Sequence, residues 1–166
     1  MKAYQYIKID QNNITDEQFR QVCLVENSSP DGYSVDIMKE IWVTGNKNDN
    51  FACIDGDKIV AHITYNPQSQ RRNGSIYMVN LTVLPEYKQQ GIATNLILCA
   101  VEYYIKHRFN LPMSTSVDKD NIPAINLYKK VGFEIKEPIC DLDQDDEQYI
   151  MDADLNTIKQ TILNKK

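Results

Sequence analysis

The chain has 166 residues, enough for one domain with a sizeable core, and its 42% hydrophobic and 25% charged residues place it among globular proteins rather than disordered or fibrous ones. A formal charge of -5 gives no basic footprint, which argues against nucleic acid as the principal partner and permits a cationic substrate. No apolar run approaches the length of a membrane span and MKAYQYIKID lacks the apolar core of a signal peptide, so a cytoplasmic setting without a membrane partner is expected. In chain order, Tyr4 to Ile9 reads as a strand, and Thr15 with Gln18 three residues on forms a capping-box start for a helix through about Glu26. Asn27 to Gly32 breaks it. A second helix is expected over Ser34 to Val43, with Val35, Met38, Ile41 and Trp42 on one face. Strands at Asn50 to Ile54 and Lys58 to Tyr65 are joined by Asp55-Gly56-Asp57, a hairpin signal. His62, alone in an apolar run, reads as a satisfied core residue rather than a catalyst. Asn66 to Asn73, carrying Arg71 and Arg72, is a polar loop before the strand Ser75 to Val83, which Pro85 ends.

Lys88, Gln89, Gln90 and Gly91 then open on a helix whose apolar positions are Ile92, Ala93, Leu96, Ile97, Ala100, Val101 and Tyr104. A helix start presents free N–H groups and the positive end of the macrodipole, Gly91 allows close backbone approach and Lys88 adds charge, so the turn can bind phosphate. On these residues alone an ordinary strand-to-helix connection stays open. There is no GxGxxG and no GxxxxGK[ST], which excludes the Rossmann and Walker loops. Leu111 to Val117 is a further strand, and a helix follows from Pro123, with Ala124, Leu127, Tyr128 and Val131 on its inner face and Gly132 at its end. Phe133 to Glu137 and Gln148 to Ala153 form a hairpin, and residues 154–166 are a short polar helix or frayed tail. The acidic run Asp141 to Glu147 starts like a calcium loop but puts Asp146 and Asp152 where an EF-hand needs Gly and Glu, so a solvated loop and no metal are expected. Cys23, Cys53, Cys99 and Cys140 are scattered without a CxxC pair, consistent with mostly buried thiols.

Two of these stretches carry a resemblance. Lys88-Gln89-Gln90-Gly91-Ile92-Ala93, followed by Thr94, resembles the Arg/Gln-x-x-Gly-x-Gly/Ala signature of the GNAT superfamily of acyl-CoA-dependent N-acetyltransferases, with Lys in place of Arg or Gln. Asn121 to Phe133 resembles the family's N-x-x-A-x-x-L-Y-x-x-x-G-F. The resemblance implies one α/β (α+β) domain over 1–166, with a mixed central sheet of six or seven strands flanked by helices and splayed between the fourth and fifth strands. Residues 1–50 would hold the first strand and acceptor-side helices, 51–153 the acyl-CoA core and 154–166 the tail. It implies acetyl-CoA as acyl donor, with pantetheine along Leu81, Thr82 and Val83, pyrophosphate on Lys88, Gln89, Gln90, Gly91, Ile92, Ala93 and Thr94, and Asn121 and Asn126 helping to hold it. Tyr128 would donate a proton to the leaving sulfur, and Tyr33, Asp36, Glu40 and Trp42 become neighbours of a primary amine on a small molecule or peptide. Where some members carry a Glu base this chain has Tyr77, with no acid from Ile76 to Val83, so a water chain to an acid of the first helices or the hairpin loop is an equal candidate. A homodimer, a CoA-binding sensor without turnover, and a longer acyl donor or hydroxyl acceptor stay open.

Overall fold

The computed structural model describes residues 3–10, 15–27, 47–107 and 109–165. The expected helix over 34–43, with Tyr33, Asp36, Glu40 and Trp42, lies outside them. The order of elements is β1 (Gln5–Ile9), α1 (Asp16–Asn27), β2 (Asp49–Asp55), β3 (Lys58–Ser69), β4 (Ser75–Val83), α2 (Ile92–Lys106), β5 (Met113–Asp118), α3 (Ile122–Lys130), β6 (Glu134–Lys136), β7 (Gln148–Ala153) and α4 (Leu155–Leu163). The strands make a seven-stranded sheet in the order β1-β2-β3-β4-β5-β7-β6, with β4 and β5 parallel. This is the mixed α/β sheet expected from the resemblance. Among the described residues no helix is long and apolar enough to cross a membrane. The chain divides into two compact units, residues 1–65 with 80–99, and residues 66–79 with 100–166.

In the first unit the capping box forms as its sequence requires: Gln18 N–H donates to Thr15 Oγ1 at 3.1 Å and Thr15 N–H to Gln18 Oε1 at 3.0 Å. The helix it starts packs Val22, Cys23 and Val25 with Ile9, Ala52, Ile54 and Ile59. Gln21 Oε1 also accepts the Ile59 N–H at 2.9 Å, tying α1 to the start of β3. Gly56, at φ +61°, makes the tight turn between β2 and β3. β3 runs on to Ser69, past the end expected at Tyr65. A ladder is made by backbone groups, which Asn66, Gln68 and Ser69 supply as well as apolar residues do, so the end of the apolar run was not the end of the strand.

In the second unit β4 and β5 are in register from Ile76↔Met113 to Met78↔Thr115, while β7 pairs antiparallel with β5 from Met113↔Ala153 to Asp118↔Gln148. β5 begins at Met113 and not at Leu111; Pro112 has no N–H, although its carbonyl accepts the Ile76 N–H at 2.9 Å. The buried face of α3 runs through Ile125, Tyr128 and Val131, with Ala124 and Leu127 half-buried on its flank. Gly132, at φ +104°, ends the helix, and a Cβ there would stand 3.1 Å from Thr161 Oγ1 of α4. α4 buries Leu155, Ile158 and Ile162, so the chain after 154 is a packed amphipathic helix rather than a frayed tail. The acidic run is not wholly solvated either: Asp143 is buried, 3.8 Å from Arg72 Nη1, and accepts the Ile139 N–H at 3.4 Å.

Asn121 is the N-cap of α3, its Oδ1 accepting the Ala124 N–H at 3.2 Å. Asn121→Ala is therefore expected to cost about 1 kcal/mol, or a few degrees of melting temperature. Thermal unfolding checks this; an unchanged midpoint would show that the cap contributes nothing.

Candidate functional site

The turn between β4 and α2 is built in layers. A 3-10 turn at Pro85–Tyr87 follows the strand, and the ladder of α2 opens with Asn95 N–H donating to Gly91 O at 3.0 Å. The N–H groups of Ile92, Ala93 and Thr94 precede that first rung. Gly91 has φ +76°, a conformation that favours glycine, and among the described residues a Cβ there would meet only the Asn95 amide, at 3.9 Å. Gln89 also holds a positive φ, +61°, at a cost of about 1 kcal/mol for a residue with a side chain. Neighbours fix the turn: Tyr4 Oη donates to Gln90 Oε1 at 2.6 Å, Gln90 Nε2 donates to Glu86 O at 3.1 Å, and Tyr87 Oη donates to Asp55 at 3.0 Å. Lys88 is exposed beside it. The result is an exposed backbone cradle at the positive end of a 15-residue helix. Just before it on β4, Thr82 is buried and Leu81 and Val83 are half-buried.

The second unit holds the other expected site residues. Tyr128 is 8% exposed, packed beside Phe133 at a ring separation of 5.7 Å. Burial pushes its phenol up to about 12, the nearby Tyr77 adds to the shift, and a hydrogen bond with Thr115 opposes it. Tyr128 is thus protonated throughout the neutral range. Asn126 is exposed on α3, and the Asn121 carbonyl oxygen is taken by the helix cap, which leaves its NH₂ group for any ligand. Tyr77 Oη and Ser116 Oγ are 2.7 Å apart.

Sequence reasoning treated His62 as a lone core histidine and missed its partners. His62 and Glu26 are both fully buried, with His62 Nδ1 bonded to Glu26 Oε1, while Asn80 Nδ2 of β4 donates to Glu26 Oε2. A carboxylate at the end of α1 is so held between β3 and β4. Among the described residues the buried Asn80 Oδ1 has no hydrogen-bond partner. No sequence window contains all three residues; the one local hint was an acid, a histidine and an asparagine each lying in an otherwise apolar stretch. Among the described residues no group of three or more His, Cys, Asp or Glu is placed to hold a metal ion.

The sequence profile of the Acetyltransferase (GNAT) family matches residues 13–133. The chain belongs to the GNAT acetyltransferase family. A curated relative, the L-amino acid N-acetyltransferase AaaT of Escherichia coli (strain K12), is 35% identical over 85 residues, 51% of this chain and 52% of that protein. The matched stretch thus spans about half the length of that relative. Among solved structures, the ribosomal-protein-S18-alanine N-acetyltransferase from Escherichia coli is similar with a TM-score of 0.70 at 17% identity, over 91% of this chain and 94% of that one. Arabidopsis thaliana NAA60 in complex with acetyl-CoA gives 0.69 at 19% identity, over 93% and 99%. At such identities the two structures speak for the GNAT fold alone.

Proposed function

We propose that this GNAT chain transfers an acetyl group from acetyl-CoA to a primary amine of a small molecule or peptide by direct attack of the amine on the thioester. The observation that carries the reading is the cradle at Gly91: a positive-φ glycine with open space before it, leading into N–H groups ahead of the first helical rung, at the family's acyl-CoA signature. The residues present fit the group. Gln89 to Thr94 would receive the pyrophosphate, Lys88 would add charge, and Asn121 and Asn126 would offer side-chain amides. Backbone groups of Leu81, Thr82 and Val83 would pair with the pantetheine amides much as an added strand does. Lys88 lacks the planar fork of arginine, so its contribution is charge rather than bidentate geometry.

Acetyl-CoA supplies an activated carbonyl and a sulfur leaving group. Tyr128 holds a proton at its Oη for that sulfur, and its burial keeps the phenol neutral and the local dielectric low. The relatives act, by their names, on an L-amino acid and on an alanine of a ribosomal protein, which supports an amine acceptor in general.

Acetyl-CoA at about a hundred times its Kd is expected to stabilise the fold by about 2–3 kcal/mol. In Gly91→Glu that stabilisation is expected to vanish, because a side chain and a negative charge would occupy the cradle. A ligand-free Gly91→Glu midpoint close to wild type, allowing for about 1 kcal/mol of backbone strain, shows that the loss belongs to binding. Normal acetyl-CoA stabilisation of the variant would mean that the cradle is not the pyrophosphate site.

A further inference from the structure

Arg71 and Arg72 are adjacent in the chain and opposite in their surroundings. Arg72 is neutralised: its Nε lies 3.0 Å from Asp152 Oδ2 and its Nη1 3.8 Å from the buried Asp143. Arg71 meets neutral groups. Its Nη1 donates to the Leu142 carbonyl at 2.6 Å and to Ser116 Oγ at 3.4 Å, and its guanidinium carbon stands 4.6 Å from the Tyr77 ring centroid. No carboxylate among the described residues lies within ion-pair distance of it. The ring and the carbonyl hold the guanidinium, and among the described residues Nε and Nη2 have no hydrogen-bond acceptor. In a chain of formal charge -5, a half-buried guanidinium whose partners among the described residues are neutral can take an anion, and its planar fork matches a carboxylate.

Its place in the sheet gives the site a use. Side chains alternate along a strand, and Tyr77 is in register with Ser114 and bonded to Ser116, so these residues and Arg71 share one face of the β4–β5 ladder. Met78 and Thr115 are on the other face, and Thr115 is the hydrogen-bonding neighbour of Tyr128. In acyl transfer the amine adds to the carbonyl carbon from which the sulfur then leaves, so acceptor and proton donor must meet at one atom. Tyr77 also lies close enough to Tyr128 to add to the rise of its phenol, so the Arg71 cluster stands near the proposed proton donor, where the acceptor must also come.

We propose that Arg71, with the Tyr77 and Ser116 hydroxyls, binds a carboxylate of the acceptor, so that the favoured substrates are amines with a neighbouring carboxylate, amino acids as a class. The inference rests on the acetyl-transfer reading and narrows its acceptor. The test compares the natural L-amino acids with their primary amides and their decarboxylated amines in an acetyl-CoA assay. Wild type should prefer the best amino acid over its amide and amine by about 10²-fold or more in kcat/KM. Arg71→Gln should remove that preference by lowering kcat/KM for the acid about 10²-fold, with the amide, the amine and the KM for acetyl-CoA changed less than about threefold. Tyr77→Phe, which keeps the ring under Arg71, should lower only the acid, by about tenfold, and it carries the test if Arg71→Gln does not fold. Equal loss on all three acceptor types, or a wild type indifferent to the carboxylate, would overturn the carboxylate site while leaving acetyl transfer intact. Turnover of no amine by a wild type that binds acetyl-CoA would overturn the transferase reading, and the acceptor site with it.

Discussion

Tyr128→Phe should lower kcat by about 10²-fold or more while the fold and acetyl-CoA affinity survive. Phenylalanine keeps the ring against Phe133 and removes only the hydroxyl, so packing and proton donation separate cleanly. The phenol is a weak donor: moving its proton fully from a group at about 12 to a thiolate whose acid sits near 8.5 is uphill by roughly 3–4 units. Its contribution is then a hydrogen bond to developing charge on sulfur, completed by solvent, and single-turnover rates are the proper readout because product release can mask the step. The pH profile follows from the same shift. Since burial raises Tyr128 from 10.0 to about 12, its neutral form is favoured by the fold: that contribution is complete below pH 10 and is lost as pH rises through about 12. Any break in the rate profile near neutral pH belongs to another group. A wild-type chemical rate in folded Tyr128→Phe would make this tyrosine a packing residue.

Glu26→Ala should destabilise the fold by about 3–5 kcal/mol. It would leave His62 fully buried without its carboxylate and Asn80 Nδ2 without its acceptor, at the junction of α1, β3 and β4. Such a loss lowers the melting temperature of a chain this long by about 6–20 °C. Glu26→Gln retains hydrogen-bonding atoms at both ends and should cost visibly less. Equal, small losses in both variants, measured by denaturant titration with an unchanged m-value, would show that the buried pair does not hold α1 in place.

The contrast between these residues explains how far the sequence could be read. Signals confined to a few neighbours were legible: Thr15 with Gln18, Gly56 in its hairpin, Gly91 before α2 and Gly132 after α3 each force one local backbone geometry, and each takes it. Two of them sit inside the motifs that pointed to the GNAT family. Polar pairing across the fold was not legible. Glu26 meets His62 and Asn80, and Arg72 meets Asp143 and Asp152, only after strand register has been set by the backbone. The acidic run therefore looked uniformly solvated although Asp143 is an internal counterion, and the adjacent arginines looked alike although one is neutralised and the other is not.

The central claim is acetyl transfer to an amine, and mass spectrometry of the acceptor together with titration of released CoA thiol tests it most directly. With acetyl-CoA and the amine panel, the account predicts acetylated amine and free thiol in equal amounts, at a rate far above the enzyme-free control and abolished in Gly91→Glu. Acetyl-CoA that binds and stabilises the protein, yet yields neither acetylated amine nor thiol above the control with any acceptor, would contradict it and leave a CoA-binding module in its place.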